Sequence, residues 1–478
     1  MSLKRGRSYH TVQMKQVEQR LFARCWEQVL KNRKGKTAIF SDDGRNLRTF
    51  LEIEEERAEW RTRLSAFSAG DCVVAALGND PSWPALLLAC WDLRLVVTPI
   101  EADLQAAQLD RILHLTKAQG LIRTNKIQHF DCSPVRWDGP RPDLLKITSG
   151  TTGAPRAVRF RQTQLLADCQ NICQTMGLRP NDLNFGVISF SHSYGFSNLI
   201  TPLLYQGTGL VCSADRMPRA VYDRLQSSGA TVFPATPALF QALSSLSDVR
   251  RPEGIRLCIS AGAPLASEVT RQFHRSFGLK IHSFYGSSEC GGIAYDRSED
   301  PELPTGFVGT PMNGVQLVKI DDDRIAVHGP NVADGYFPDA ELDVLDGVRF
   351  VPGDIIAWSK PGIQLVGRVS DFVNIAGKKV HPSVIEEHLR QLPGVIDAIV
   401  FGIPSPTRNE DLVAYVVTLN AVSRQALESH CREGLSSWQV PREFQIVTEL
   451  PFNERGKINR LELSRIHLAR SSDQPKPP

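Results

Sequence analysis

Long apolar runs are missing from this chain. The longest, near Trp83 to Trp91, falls far short of the ~20 residues that a bilayer-crossing helix needs. Net charge is also nearly absent, at +3 over 478 residues, so there is no electrostatic case for nucleic acid or a membrane surface as main partner. The basic start, Met1 to Arg7, is not followed by an apolar h-region, and no secretory signal is expected. The 10 cysteines lack framework spacing and read as reduced thiols of a cytoplasmic protein. Only Cys169 and Cys173 stand at helical spacing; with no His or further Cys beside them, helix packing is favoured over a metal–thiolate site. No internal repeat is visible. A hydrophobic share of 42% and a charged share of 22% belong to an ordinary globular chain, long enough for two or three domains.

What is present is concentrated in one loop. Thr148-Ser149-Gly150-Thr151-Thr152-Gly153-Ala154-Pro155-Arg156 places hydroxyls, glycines and a cation directly after the apolar, strand-like Leu144 to Ile147. Glycines let backbone N–H groups wrap an anion, hydroxyls add donors and Arg156 adds charge, which suits polyphosphate. No Gly-Lys-Ser/Thr closes the loop, so a P-loop NTPase is disfavoured.

Around it, short apolar strands alternate with helical segments. Cys72 to Leu77, Leu95 to Ile100 and Gly120 to Arg123 alternate with helices near 83–93 and 103–116. After the loop a helix over 162–176 leads to strands at 184–190, 230–233 and 255–260. This rhythm predicts an α/β fold with parallel-rich sheets. Past Gly306 short strands with Gly, Asp and Pro turns predict a β-rich subdomain, with Asp321 to Asp323 as a solvated turn. From about Asp371 a small α+β domain is expected, with a helix at 382–391 and a strand at 398–401. The polar tail from Ser471 to Pro478 is expected to be disordered.

Other segments share the loop's character. Ser260-Ala261-Gly262-Ala263-Pro264 leaves room for a flat ligand against the backbone. Tyr285-Gly286-Ser287-Ser288-Glu289 offers a ring, hydroxyls and a carboxylate. Asp354 sits on a turn after Gly353, Arg368 and Asp371 flank a domain junction, and Lys457 follows Gly456. Singly, each has an ordinary reading: Tyr285 as a core aromatic, Lys457 as a solvated charge.

In this order and at this wide spacing, the segments resemble the adenylate-forming superfamily of acyl-CoA synthetases, peptide-synthetase adenylation domains and luciferase-like enzymes. The resemblance covers about residues 40 to 460. It implies a large N-terminal domain (1–369) and a small mobile C-terminal domain (370–470) that carries the catalytic Lys457, with 471–478 as a tail. It also implies that Thr148 to Gly153, with Arg156, hold the phosphates of ATP. Gly262, Ala263 and Pro264 would flank adenine, with Tyr285 stacked on it and Gly286, Ser287 and Ser288 nearby. Asp354 would take the ribose hydroxyls with Arg368 nearby, and Glu289 would hold Mg²⁺. A carboxylic acid would attack the α-phosphate to give an acyl-adenylate and pyrophosphate. The domain would then turn about Ser370 so that the loop around Gly377 helps the thiol of coenzyme A, or of a carrier protein's phosphopantetheine, to reach it. A non-catalytic nucleotide-binding homologue is the rival reading. Arg156 and Ala157 depart from the family's Lys-Gly, Pro352 from its Thr, and Ser370 from its usual hinge residue.

For the acid, Ser189 to Gly195 resembles the segment that lines the acyl pocket. Ser191 stands where amino-acid-activating relatives carry Asp, which disfavours an α-amino acid. His192 reads either as a pocket gate or as a structural histidine. Gly291-Gly292, beside Cys290, are expected to open space along the pocket floor. Lys378, Lys379 and His381 read as contacts for coenzyme A phosphates, as a solvated basic turn or as a carrier-protein docking face. Oligomeric state is left open.

Overall fold

The computed structural model describes residues 20–472 apart from 125, 150–154, 322, 361, 369–371, 376–377, 406–407, 420–421 and 451–459. Strands such as Cys72–Ala75 and Val96–Pro99 are apolar at successive positions rather than alternate ones, and both are buried throughout. That pattern suits parallel strands covered on both faces by helices. They form the middle of a seven-stranded sheet ordered Gly335–Phe337, Pro155–Phe160, Leu144–Ser149, Val96–Pro99, Cys72–Ala75, Gly120–Arg123, Lys126–His129. Its centre is parallel and its two edges are antiparallel. A second, eleven-stranded sheet holds a parallel run through Gly209–Cys212, Leu183–Gly186, Val232–Ala235, Leu257–Ser260 and Ile281–Ser287. It turns antiparallel at Gly291–Tyr295 and Phe307–Pro311.

The helix Gln162–Met176 touches strands of both sheets. It buries Gln162, Gln164, Asp168 and Asn171 beside Leu165 and Ile172. Buried polar groups must find partners, and three of these do so across the interior. Gln162 accepts from the Phe22 amide (3.2 Å), Gln164 donates to Asp334 (2.7 Å), and Asp168 accepts from the Gly292 amide (2.8 Å). Gly177, at φ +62°, ends the helix in the left-handed conformation that glycine adopts without penalty. Cys169 and Cys173 are buried on it with Sγ atoms 4.0 Å apart, and burial pushes the Cys169 thiol up.

A three-stranded sheet of Gln316–Lys319, Ile325–His328 and Arg349–Phe350 forms the β-rich part. Past its first strand the Ile320 amide donates to the Arg324 carbonyl (3.0 Å). Phe50–Arg63 begins with a capping box in which Thr49 and Glu52 satisfy each other's backbone N–H.

By contact density the chain divides into a unit up to Pro352 with Trp358–Gln364, and a unit of Gly353–Ala357 with the chain from Leu365 on. The second is a small α+β body. Its sheet contains Val373–Ile375, Lys378–Val380, Val395–Ser405, Asn409–Thr418 and Glu443–Ile446. Ile385 and Leu389 of Pro382–Arg390 and Leu427 of Arg424–Gly434 pack with Val400 and Ala414 in its core. The fold is thus mixed α/β, with a large N-terminal and a small C-terminal domain.

The strand expected at 184–190 stops at Gly186. There the Asn79 side chain takes over, donating to the carbonyls of Gly186 (2.9 Å), Ile188 (3.2 Å) and Ser213 (3.1 Å) and accepting from the Phe190 amide (3.0 Å). The last helix, Arg460–Ser472, runs into the segment expected to be disordered; 473–478 lie outside the described residues. No described helix is long and apolar enough to cross a membrane.

Candidate active site

Two paired strands flank the hydroxyl-rich loop. Leu144–Ser149 and Pro155–Phe160 pair antiparallel, with Thr148 opposite Arg156 and Ser149 opposite Pro155. Gly150, Thr151, Thr152 and Gly153 lie outside the described residues. Against the hairpin's second strand runs Gly335–Phe337, with Tyr336 opposite Val158 and Phe337 opposite Ala157. An Arg161 fork on Asp334, both contacts 2.8 Å, pins that strand in register.

This register brings Tyr336 to Glu289. The Tyr336 hydroxyl donates to Glu289 Oε1 at 3.0 Å, and Ser287 Oγ donates to Oε2. The Glu289 carbonyl accepts from the Ala333 amide at 3.0 Å. Burial, then the neighbouring Glu289, pushes the Tyr336 phenol up, so it stays protonated and remains a donor. Arg156 reaches the same place from the hairpin. Its guanidinium pairs with Glu341 at 2.6 Å and lies 5.5 Å from the centre of the Tyr336 ring. The cation of the expected phosphate loop is therefore tied, through Tyr336, to the carboxylate expected to hold metal. Neither Tyr336 nor Glu341 carries a sequence signal: the pairing register reveals the first and the ion pair with Arg156 the second.

Lys146, just before the loop, is buried, with Nζ over the Phe160 ring (4.5 Å) and 5.9 Å from the centre of the Phe196 ring. Its Nζ makes no hydrogen bond. Burial lowers its pKa and raises that of Asp168, each partly opposed by the other's charge. A lysine within the apolar Leu-Leu-Lys-Ile run just before the loop is a sign of this burial legible in the sequence.

The 189–195 segment packs against the turn that begins at Ser288, just past the strand Ile281–Ser287. Ser193 Oγ donates to Ser288 Oγ at 3.0 Å. Gly195 cannot carry a side chain, because a Cβ there would stand 1.9 Å from the Ser189 carbonyl oxygen. His192 precedes the short helical turn Ser193–Gly195 and is partly buried, and its carbonyl accepts from the Phe196 amide at 2.8 Å. Tyr285 is buried on Ile281–Ser287, followed there by Gly286 and Ser287. At the end of Leu257–Ser260, Gly262 has φ +94° with open space on its Cβ side; Ala263 and Pro264 follow it.

The expected space at Gly291-Gly292 is not there. A Cβ on Gly291 would meet the Asp168 carboxylate at 2.1 Å, and one on Gly292 would meet Met312 Sδ at 2.3 Å. Both glycines let neighbouring side chains close in rather than leaving a void.

In the second unit, Arg368 Nε donates to Asp354 Oδ1 at 2.9 Å. The Arg368 amide donates to His381 Nε2 at 2.9 Å, and the His381 ring lies flat on Gly367, whose Cβ would stand 2.0 Å from Cε1. His381 is buried and caps the helix Pro382–Arg390 by accepting from Ser383, so the solvated-turn reading does not hold for it. Lys378 Nζ lies 5.4 Å from the centre of the Trp438 ring. Ser370, Gly377 and Lys457 lie outside the described residues.

A carboxylate flanked by two hydroxyl donors, beside a hydroxyl-rich hairpin that carries a cation, is built to handle phosphate. Glu289 keeps lone pairs beyond those two donors. A single carboxylate completed by water and phosphate oxygens is a donor set that magnesium accepts. Among the described residues no three His, Cys, Asp or Glu side chains gather into an all-protein metal cage.

A profile of the AMP-binding enzyme family matches residues 26–139 and 143–337, and that of the AMP-binding enzyme C-terminal domain matches 384–457. The chain belongs to this family, the adenylate-forming enzymes. It is 28% identical to sulfoacetate–CoA ligase of Cupriavidus necator, over 90% of this chain and 94% of that one. It is 24% identical to feruloyl-CoA synthase of an Amycolatopsis species, over 87% and 93%. The solved structure of ATP-bound MatB from Rhodopseudomonas palustris shares the fold at a TM-score of 0.83 and 20% identity, covering 94% of this chain and 99% of that chain.

Proposed function

We propose that the protein is an ATP-dependent acid–CoA ligase acting through an acyl-adenylate. The observation that carries this reading is the contact chain from Arg156 through Tyr336 to Glu289, which joins the phosphate hairpin to the metal-type carboxylate. Family membership and the two CoA-ligase relatives support it.

In the first step a carboxylate oxygen of the acid attacks the α-phosphorus in line, and the bond to the β-phosphate oxygen breaks, releasing pyrophosphate. Thr148 to Gly153 grip the leaving phosphates, and Glu289, held by Ser287 and Tyr336, would hold magnesium, which neutralises polyphosphate charge. Gly262 to Pro264 and Tyr285 to Ser288 bound the adenine, and Asp354 with Arg368 the ribose. Lys457 stabilises the charge that builds on the pentacoordinate phosphorus. His192 borders the acyl group. In the second step a thiol of coenzyme A, having lost its proton, attacks the acyl carbonyl and AMP leaves. The segment around Gly377 and Lys378 faces this thiol after the small domain has turned.

ATP–pyrophosphate exchange across a panel of acids tests the first step. Exchange with at least one acid is expected, with thioester formed only when coenzyme A is added. No exchange with any acid overturns the reading. Acylation of a carrier protein with no thioester on coenzyme A moves the acceptor to the carrier.

A further inference from the structure

We propose that the acid is a short one, without a long alkyl tail, because side chains of this chain fill the space beside the 189–195 segment that would border it. The inference rests on the ligase reading and adds the substrate class to it. The Ser193–Ser288 hydrogen bond joins that segment, at 3.0 Å, to the turn that follows the Ile281–Ser287 strand. Tyr194 lies in the first segment and Phe284 on the Ile281–Ser287 strand. Both are buried, with ring centres 5.9 Å apart. The Tyr194 hydroxyl donates to the Ile259 carbonyl at 2.9 Å, fixing the ring across the sheet.

Behind them the backbone is bare at Gly291 and Gly292, where a tail would otherwise find room. Met312 lies on Gly292, which has Phe284 on the same side, 3.0 Å from the position of its absent Cβ. Asp168 lies on Gly291 and binds the Gly292 amide. Met312 is 2% exposed, its amide donates to the Ile293 carbonyl (3.0 Å), and it packs with Cys169, Ile172, Cys173, Tyr194 and Phe284 in one cluster. A flexible thioether moves aside only where there is space, and here its neighbours occupy it. Admitting a long tail means displacing Met312 and breaking a buried tyrosine hydrogen bond. Forcing extra methylenes into a packed interior is resisted.

The test is kcat/KM for exchange over a series of straight-chain acids from acetate to dodecanoate, with sulfoacetate added, for the wild type and for Met312→Ala and Tyr194→Phe. The wild type is expected to prefer the shortest acids, falling about tenfold or more by octanoate, the scale of an overpacked interior. Met312→Ala should move the optimum to longer acids. If that variant does not fold, the wild-type profile and Tyr194→Phe, which keeps the ring and frees it to move, still decide. Octanoate or dodecanoate used by the wild type as well as the best short acid overturns this inference and leaves the ligase reading standing. Exchange with no acid in the series or in the wider panel overturns the ligase reading, and this inference with it.

Discussion

Replacing Arg460 by methionine removes the cation that ties the start of the last helix to the small domain. Glu386 is 4% exposed. Its carboxylate receives Arg460 Nη2 at 2.8 and 3.0 Å and the Val400 amide at 2.8 Å, while Arg390 stands at 3.9 Å. Arg460 Nε also donates to the Val400 carbonyl at 3.0 Å. Removing one partner of a buried pair strands the other charge, typically at about 3–5 kcal/mol. The neighbouring Arg390 and the 23% exposure of the Arg460 side chain soften the loss, to about 3 kcal/mol. Lys457 lies three residues before this anchor in the sequence. Loosening it should therefore slow adenylation, on the order of a hundredfold for a displacement of about 1 Å. Urea unfolding of Arg460→Met, Glu386→Met and the double variant forms a cycle, with exchange and thioester formation from supplied adenylate measured beside it. The double variant should recover much of the stability lost by either single one. An unchanged unfolding midpoint in Arg460→Met, or a double variant whose loss is the sum of the two, refutes the reasoning.

Lys457→Ala should abolish pyrophosphate exchange while leaving calorimetric ATP affinity within about twofold, since it acts on transition-state charge; an unchanged exchange rate sinks its assigned role. Tyr336→Phe deletes a donor to Glu289 and should raise the magnesium needed for half-maximal ATP binding about tenfold, in line with ~1.5 kcal/mol for a hydrogen bond to a charged group; identical magnesium titrations by calorimetry would argue against it. Asp182→Asn should destabilise the large domain by about 2 kcal/mol at neutral pH. Burial pulls the Asp182 pKa up, but the Arg256 fork and donors from Arg179 and Thr231 bring it below the ordinary value. A lowered folded pKa contributes stability that is present above the ordinary carboxylate pKa (about 4) and is lost as pH falls through the folded value. The gap between wild type and variant should therefore close in acid, and a gap independent of pH contradicts the assignment.

The helix Gln162–Met176 is legible in the sequence because apolar residues recur at helical spacing, at Leu165, Cys169, Ile172, Cys173 and Met176, up to a glycine that stops it. The strand after it is shorter than its sequence suggests, ending at Gly186. Its residues have strand propensity, but the Asn79 amide, distant in sequence, takes the hydrogen bonds that a ladder would have used. Gly291 and Gly292 misled in a different way. A missing Cβ is visible in the sequence, but whether solvent, ligand or Met312 occupies its place is not. Lys146 shows the opposite failure: the residue was in plain view, but its burial against Phe160 and Phe196 was not.

The local chemistry of this protein belongs to its sequence alone. Glycine and hydroxyl content shape the loop after Ile147, apolar runs set the parallel strands, and the order of the segments marks the adenylate-forming family. These are properties of neighbouring residues, which covalent linkage and backbone geometry hold together in any fold. What only the tertiary structure decided is who meets whom across the chain: Tyr336 on Glu289, Glu341 on Arg156, Met312 over Gly292. Those meetings follow from strand register and from close packing, where one residue's side chain takes the space another leaves open.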